Sequence, residues 1–289
     1  MLKDMHARIQ TVALADLGVL RITGRDGALF LQGQLSNDVK QLASEHSVLA
    51  GYHNPQGRTI AVLHLVRTAP EEILALLPRE LAAAVAAKLA RFILRAKVAI
   101  SDVSQSLSIL GLIAAEELPM PAPAATLARV AAERGRWFCI QDAAAEQPAL
   151  SDRQLWRRLD IAAGLPQVYA ATSEEFVAQM LNLDALGAIA FDKGCYTGQE
   201  VIARAHYRGR VKRRMQRFKT LSSQELVPGA AGRFSDGRAF KVVDAVRADD
   251  GTCEFLAVAA VSARDEAQGA DAEAPIEVQA LPLPYELPP

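Results

Sequence analysis

The chain has 289 residues, 51% of them apolar, and a formal net charge of −1. That length exceeds what one hydrophobic core usually absorbs, so two or three domains are expected; the balanced charge leaves only local patches from which to argue a nucleic-acid or membrane partner. Residues 1–11 are too polar for a signal peptide, and charges interrupt every apolar run short of the roughly 20 residues of a membrane span, so a cytoplasmic chain with no membrane contact is expected. The three cysteines, Cys139, Cys195 and Cys253, form no Cys-x-x-Cys pair and have no histidine at ligand spacing. They fit free thiols in a reducing compartment, with no permanently bound metal.

In chain order, residues 12–22 are rich in Val, Leu and Ile and stop at Thr23-Gly24-Arg25-Asp26-Gly27, a strand feeding a helix over 26–35 that packs through Leu29, Phe30 and Gly33. Residues 48–53 and 59–66 flank Asn54-Pro55-Gln56-Gly57, a turn sequence that predicts a hairpin. An amphipathic helix is expected over 76–95 between strands at 72–77 and 97–103, followed by strands at 107–113 and 136–141 on either side of a Pro/Ala-rich segment, 118–126. After a low-complexity linker at 143–149, Ser151 and Gln154 occupy capping-box positions of a helix that runs to Ala163 and stops at Gly164-Leu165-Pro166. Beyond Arg208 the pattern returns to strands at 215–221, 240–246 and 253–261, with Asp249-Asp250-Gly251 as a hairpin turn. These would pack as a small C-terminal β-barrel or sandwich. Residues 264–275 read as a surface loop, and the prolines of 282–285 oppose regular structure. The fold class is α+β with antiparallel sheets.

The chemistry concentrates in Lys193-Gly194-Cys195-Tyr196-Thr197-Gly198-Gln199-Glu200. Thr197 and Glu200 have capping-box spacing, which starts a helix near Gly198 and sets Cys195 just before its N-terminus. The helix dipole and the formal charge of Lys193 would favour a thiolate there, and the two glycines would admit a ligand or partner close to the backbone. Cys139 and Cys253 sit in apolar strands, where cysteine behaves as a small buried hydrophobe. Glu200 has two readings: it caps its helix, or it accepts paired hydrogen bonds from an aminopyrimidine ring. Trp156, among Arg153, Arg157, Arg158 and Asp160, is either a core tryptophan or a partly exposed indole that stacks on a flat ligand. Residues 204–219 carry Arg204, Arg208, Arg210, Lys212, Arg213, Arg214, Arg217 and Lys219 with no acid, an anion-attracting run suited to the glutamate tail of a folate or to an RNA backbone. Arg208-Gly209-Arg210 lacks the interleaved aromatics of a single-strand platform.

These residues resemble the signature of the YgfZ family of folate-binding proteins. Ile22-Thr23-Gly24, Gln32-Gly33-Gln34, Asn37-Asp38-Val39, Gln56-Gly57-Arg58, Ala163-Gly164-Leu165-Pro166, the Gln179-Met180-Leu181-Asn182-Leu183 run and Pro282-Leu283-Pro284-Tyr285 follow in family order. The resemblance implies the fold of the glycine-cleavage T-protein: three domains around a central channel that binds tetrahydrofolate. Residues 1–46 with 147–207 would form the folate domain, 47–146 an α+β middle domain and 208–289 the C-terminal one. It also implies work in iron-sulfur enzyme maturation or repair, including tRNA-thiolating enzymes, and thereby in tRNA modification. Direct tRNA contact and one-carbon transfer are the alternatives. Cys195, with Lys193, is the expected working thiol. Trp156 matches the family's folate-stacking tryptophan, and Leu17 stands where a second one is found. Asn182, Tyr196, Gln199, Glu200 and Arg204 complete the expected folate contacts. The T-protein's catalytic aspartate has no counterpart in Arg58-Thr59-Ile60-Ala61, so aminomethyltransferase activity is not expected.

Overall fold

The computed structural model describes residues 9–43, 46–114, 125–131, 135–145, 150, 152–209, 211–262 and 275–288. Ser151, Arg210, most of the Pro/Ala-rich segment at 118–126, the end of the 143–149 linker and nearly all of the 264–275 loop lie outside them.

The apolar run at 12–22 forms two strands, not one: β1 (Gln10–Ala13) and β2 (Leu17–Thr23). The Leu17 N–H donates to the Leu14 carbonyl across the break (3.1 Å), and the strands enter different sheets. Residues 14–16 contain neither glycine nor proline, so the sequence gives no turn signal there. β2 joins the predicted hairpin β3 (Val48–His53) and β4 (Thr59–Ala69), with β5 (Glu72–Pro78) and β6 (Ala99–Asp102), in the order β3-β4-β5-β2-β6. β1 pairs with β7 (Leu107–Ile113) in a second sheet, which continues through β9 (Arg136–Asp142) to the unpredicted β8 (Thr126–Arg129). The helices are shorter than their patterns suggest. α1 covers Gly27–Gln32 alone. α2 (Arg79–Ala90) begins only after Pro78, because the residues before it are claimed by β5.

The first two sheets share one core, in which Val19, Leu20, Leu65, Leu76, Phe138 and Trp156 are buried together. His53 and His64 are also buried there, and desolvation pulls each imidazole down to about 3, so both fold neutral. An unfolded chain takes protons on these rings near 6.5 and the folded one does not. Stability is therefore expected to fall as pH drops from about 6.5 towards 4, by up to about 1.4 kcal/mol per pH unit for each ring. Urea midpoints measured across that range should show the slope, and His64→Gln should flatten it; an unchanged slope in the variant would exclude His64 as its source.

The C-terminal strands form one five-stranded sheet, without a closed barrel among the described residues. Its strands are β10 (Arg213–Thr220), β11 (Ala231–Arg233), β12 (Ala239–Arg247), β13 (Cys253–Ala260) and β14 (Gln279–Leu281), in the order β11-β12-β13-β10-β14. Among the described residues the strand ladders keep that linear order, and the two ends meet through one short parallel contact just before β14, a Phe234–Ile276 bridge in which the Ile276 N–H donates to the Arg233 carbonyl (2.9 Å) and the Ser235 N–H to the Ile276 carbonyl (3.0 Å), without a continuous ladder that would close a barrel. Both faces are already covered: Phe218, Phe234, Phe240 and Phe255 form a separate outer core, while Met215, Val243, Val246, Leu256 and Val258 join the main one. Among the described residues, no helix is long and apolar enough to cross a membrane.

Candidate functional site

The turn between β1 and β2 is where the chain crosses from one sheet to the other, and a cavity opens at that seam. Ala13, Leu14, Asp16 and Leu17 line one side; His64, Pro78 and Phe138 form the floor; Trp156, Arg157, Asp160, Gln167 and Tyr169 complete it. Measured by where the centre of a water molecule can go, the cavity is about 60 Å³, several times the roughly 10–15 Å³ that one water needs. With its open mouth it encloses about 610 Å³.

Helix α3 (Arg153–Ala163) supplies the last wall. Its N-cap is Asp152, whose carboxylate accepts from the Gln154 N–H (2.9 Å), in place of the expected Ser151–Gln154 capping box. Its C-terminus closes through Gly164 in the left-handed region (φ 65°), as the sequence predicts. The proline-rich tail packs there: the Tyr285 hydroxyl donates to the Gly164 carbonyl (2.8 Å), and a Cβ on Gly164 would fall 2.7 Å from Leu283 and from that hydroxyl.

Trp156 is a core residue, only 6% exposed, not the partly exposed indole. Its six-membered ring lies against Gly111, where a Cβ would come within 2.3 Å, and the Arg136 guanidinium sits 4.8 Å from its centroid. The arginines beside it in sequence are directed elsewhere. Arg158 pairs with Asp152, and Arg157 reaches across to Asp244 of β12 (Nε–Oδ1 2.6 Å), which also accepts from the Tyr169 hydroxyl (3.0 Å). Burial pushes the Asp244 carboxyl up, and Arg157 recovers only part of that shift; burial and Asp244 together hold the Tyr169 phenol well above its usual range. This triad ties the C-terminal sheet to the cavity wall. Asp160 forms a buried pair with Arg136 (2.7 Å), and Gln167 presents a buried Oε1 with no hydrogen-bond partner.

The signature segment lies apart from this cavity. Lys193 Nζ donates to the carbonyls of Gln32 (2.7 Å), Leu35 (2.6 Å) and Asn37 (2.9 Å), so the expected charge partner of Cys195 instead anchors the loop to the end of α1. Burial pulls its ammonium down to about 8. Tyr196 is buried beneath it, 5.0 Å from Nζ to the ring centroid, and its phenol is pushed up to about 12. Helix α4 (Gln199–Arg208) starts from Gly198 at φ 83° with no side-chain cap, so the Thr197–Glu200 capping box does not form. Glycine is required there on two counts. A side chain at that φ is strained, and a Cβ would meet the Asn54 carbonyl at 2.6 Å and Gly57 Cα at 3.1 Å. The Gln56-Gly57 turn and the signature loop thus touch backbone to backbone.

Cys195 is exposed on this loop, while Cys139 and Cys253 are buried as expected and burial raises both thiols. Glu200 and Arg204 are exposed on α4, and Gln199 is half-buried. Asn182 is fully buried in a left-handed conformation (φ 56°), where its amide donates to the Met215 carbonyl (2.8 Å) and to the Tyr285 hydroxyl (3.2 Å). Of the expected folate contacts, Leu17 and Trp156 line the cavity; Asn182, Tyr196, Gln199, Glu200 and Arg204 do not. Sequence reasoning missed Asp16, His64, Gln167 and Tyr169, which come from three separate segments and share no motif. The basic run also divides. Arg214 is locked to Asp184, Arg217 to Glu254, and Arg213 donates to the Ala239 carbonyl, which leaves Arg204, Arg208 and Lys212 exposed.

Two sheets and α3 enclose the cavity, the third sheet is tied to its wall through Asp244, and the whole arrangement has an aminomethyltransferase-like fold. The glycine cleavage system aminomethyltransferase T from Bartonella henselae superposes with a TM-score of 0.61 over 88% of this chain and 79% of that one, at 14% identity. No family model matches the chain. It is 31% identical over 232 residues to the tRNA-modifying protein YgfZ of Serratia proteamaculans (72% of this chain, 70% of the relative). It is 27% identical over 277 residues to the protein of the same name from Colwellia psychrerythraea (86% and 85%). An uncharacterized protein of Haemophilus influenzae is 32% identical over 222 residues (76% and 77%). The chain belongs to the YgfZ family.

Proposed function

We propose that the cavity beside Trp156 takes the ring of a reduced folate, and that the protein supports tRNA modification through the maturation or repair of iron-sulfur enzymes, with Cys195 as the working thiol. The orphaned Gln167 Oε1 in an aromatic-walled cleft carries the folate half. A buried acceptor without a partner is costly and invites a donor, and the amino group and ring N–H of a pterin are such donors. Leu17, Trp156 and Tyr169 would hold the faces and edges of the ring; Gln167 and Asp160 would read its donors. When bound, a reduced folate carries one-carbon units. The names of the Serratia and Colwellia relatives support the tRNA half. The exposure of Cys195, against the burial of the other two cysteines, fits a thiol that meets a partner at the surface.

Calorimetric titration with tetrahydrofolate should give one saturable site, equally in wild type and Cys195→Ala, because the thiol is not in the cavity wall. The same Cys195→Ala variant should fail to restore tRNA thiolation in cells lacking the native protein. Absence of a saturable site would remove the folate reading, and full restoration by Cys195→Ala would remove the thiol.

A further inference from the structure

We propose that the exposed face of α4 binds unpaired nucleotides of an RNA loop. The inference gives the tRNA-modification reading a physical contact and makes no use of the cavity. Its basis is a ring cluster that the fold completes by bringing Phe191 to the adjacent pair His206 and Tyr207. Phe191, from the loop before the signature, stacks on His206 (centroids 3.8 Å, 18°), and His206 meets Tyr207 edge to face (4.7 Å, 81°). Tyr207 is 68% exposed, an unusual cost for a phenol ring whose edge is already fixed by two aromatic neighbours. Held in this way it offers a rigid flat surface with little ordering entropy left to lose, which is what base stacking needs.

Charge surrounds that surface. Arg204 lies one helical turn before Arg208, both are exposed, and neither is among the ion pairs of the described residues. Lys212 is exposed just beyond the helix. Arg213, Arg214 and Arg217 are spent on internal partners, so the three exposed cations Arg204, Arg208 and Lys212 stand against two exposed acids, Glu200 at the start of the same helix and Asp192 beside Phe191. Arginine one residue or one turn from an exposed aromatic ring suits a phosphate and the base attached to it. An acidic peptide would use the arginines and leave the ring without a role, so the ring decides for nucleic acid.

The test is anisotropy of a labelled RNA stem-loop, with the same strand annealed to its complement as a probe that has more phosphates but hidden bases, and an oligo-glutamate peptide as competitor. Tighter binding to the stem-loop than to the duplex is expected, with a log-log salt slope near −2 from three phosphate contacts at about 0.7 each. Tyr207→Ala should weaken loop binding roughly 5- to 100-fold while leaving the duplex value unchanged. The Arg204→Ala/Arg208→Ala double variant should flatten the slope to about −0.7, the value of one remaining contact. These side chains are at the surface, and far-ultraviolet circular dichroism controls for folding. Equal affinity for loop and duplex, an unaltered Tyr207→Ala protein, or equal competition by oligo-glutamate would each overturn the proposal. Failure here alongside normal tetrahydrofolate uptake and normal support of thiolation would remove direct RNA contact while leaving the broader reading intact.

Discussion

Asp184→Ala is expected to lower the free energy of unfolding by about 3–5 kcal/mol, because it strands the Arg214 guanidinium in the interior. The pair is bidentate, with Nη1–Oδ1 at 3.0 Å and Nη2–Oδ2 at 2.9 Å, and both side chains are 4% exposed. Arg214 lies on β10, while Asp184 follows the Gln179-Met180-Leu181-Asn182-Leu183 run, so the bond joins the C-terminal sheet to the rest of the molecule. The remaining acceptors, the Gln179 carbonyl (3.0 Å) and Asn182 Oδ1 (3.5 Å), are both neutral and leave the charge uncompensated. Urea unfolding of Asp184→Ala beside an Arg214→Met/Asp184→Leu double variant checks this. The double variant should recover most of the loss, since two apolar groups leave no buried charge. A single-variant loss below about 1 kcal/mol would mean that water reaches the guanidinium after all.

Trp156→Ala should cost a similar amount, about 3–5 kcal/mol, by emptying the space between Gly111, Phe138 and Arg136. It should also abolish tetrahydrofolate uptake. Trp156→Phe separates the two effects, since it retains an aromatic wall and most of the packing. Its use in fluorescence is equally direct: Trp137, buried with Arg129 5.6 Å from its ring, is the other emitter and does not line the cavity. Wild-type emission should change on addition of tetrahydrofolate and that of Trp156→Phe should not. Wild-type affinity in Trp156→Ala would rule out this cavity as the folate site.

Local signals were legible wherever a short segment determines its own conformation. The Asn54-Pro55-Gln56-Gly57 hairpin, the Gly164 helix stop and the burial of Cys139 and Cys253 follow from turn chemistry and apolar context, and the structure has them in place. The β1–β2 break was not legible, because Leu14 and Leu17 are apolar whether the chain runs straight or turns between sheets. The arrangement of the C-terminal sheet was hidden for a related reason: alternating apolar residues look the same whether the second face closes a barrel or docks on another domain. Capping-box spacing misled at both helices, since Asp152 and a left-handed Gly198 fill the N-cap positions. The signature marked an important loop, but the cavity is assembled from side chains up to 156 positions apart, Ala13 to Tyr169, and no local pattern encodes that convergence.

Cys195 rides on a short span secured at both ends, by the Lys193 ammonium on one side and by the contact of Gly198 with the Gly57 turn on the other. Such a mount leaves the loop little slack. On the proposed role of Cys195, a client would bring the mobile arm and present what it delivers to a stationary target.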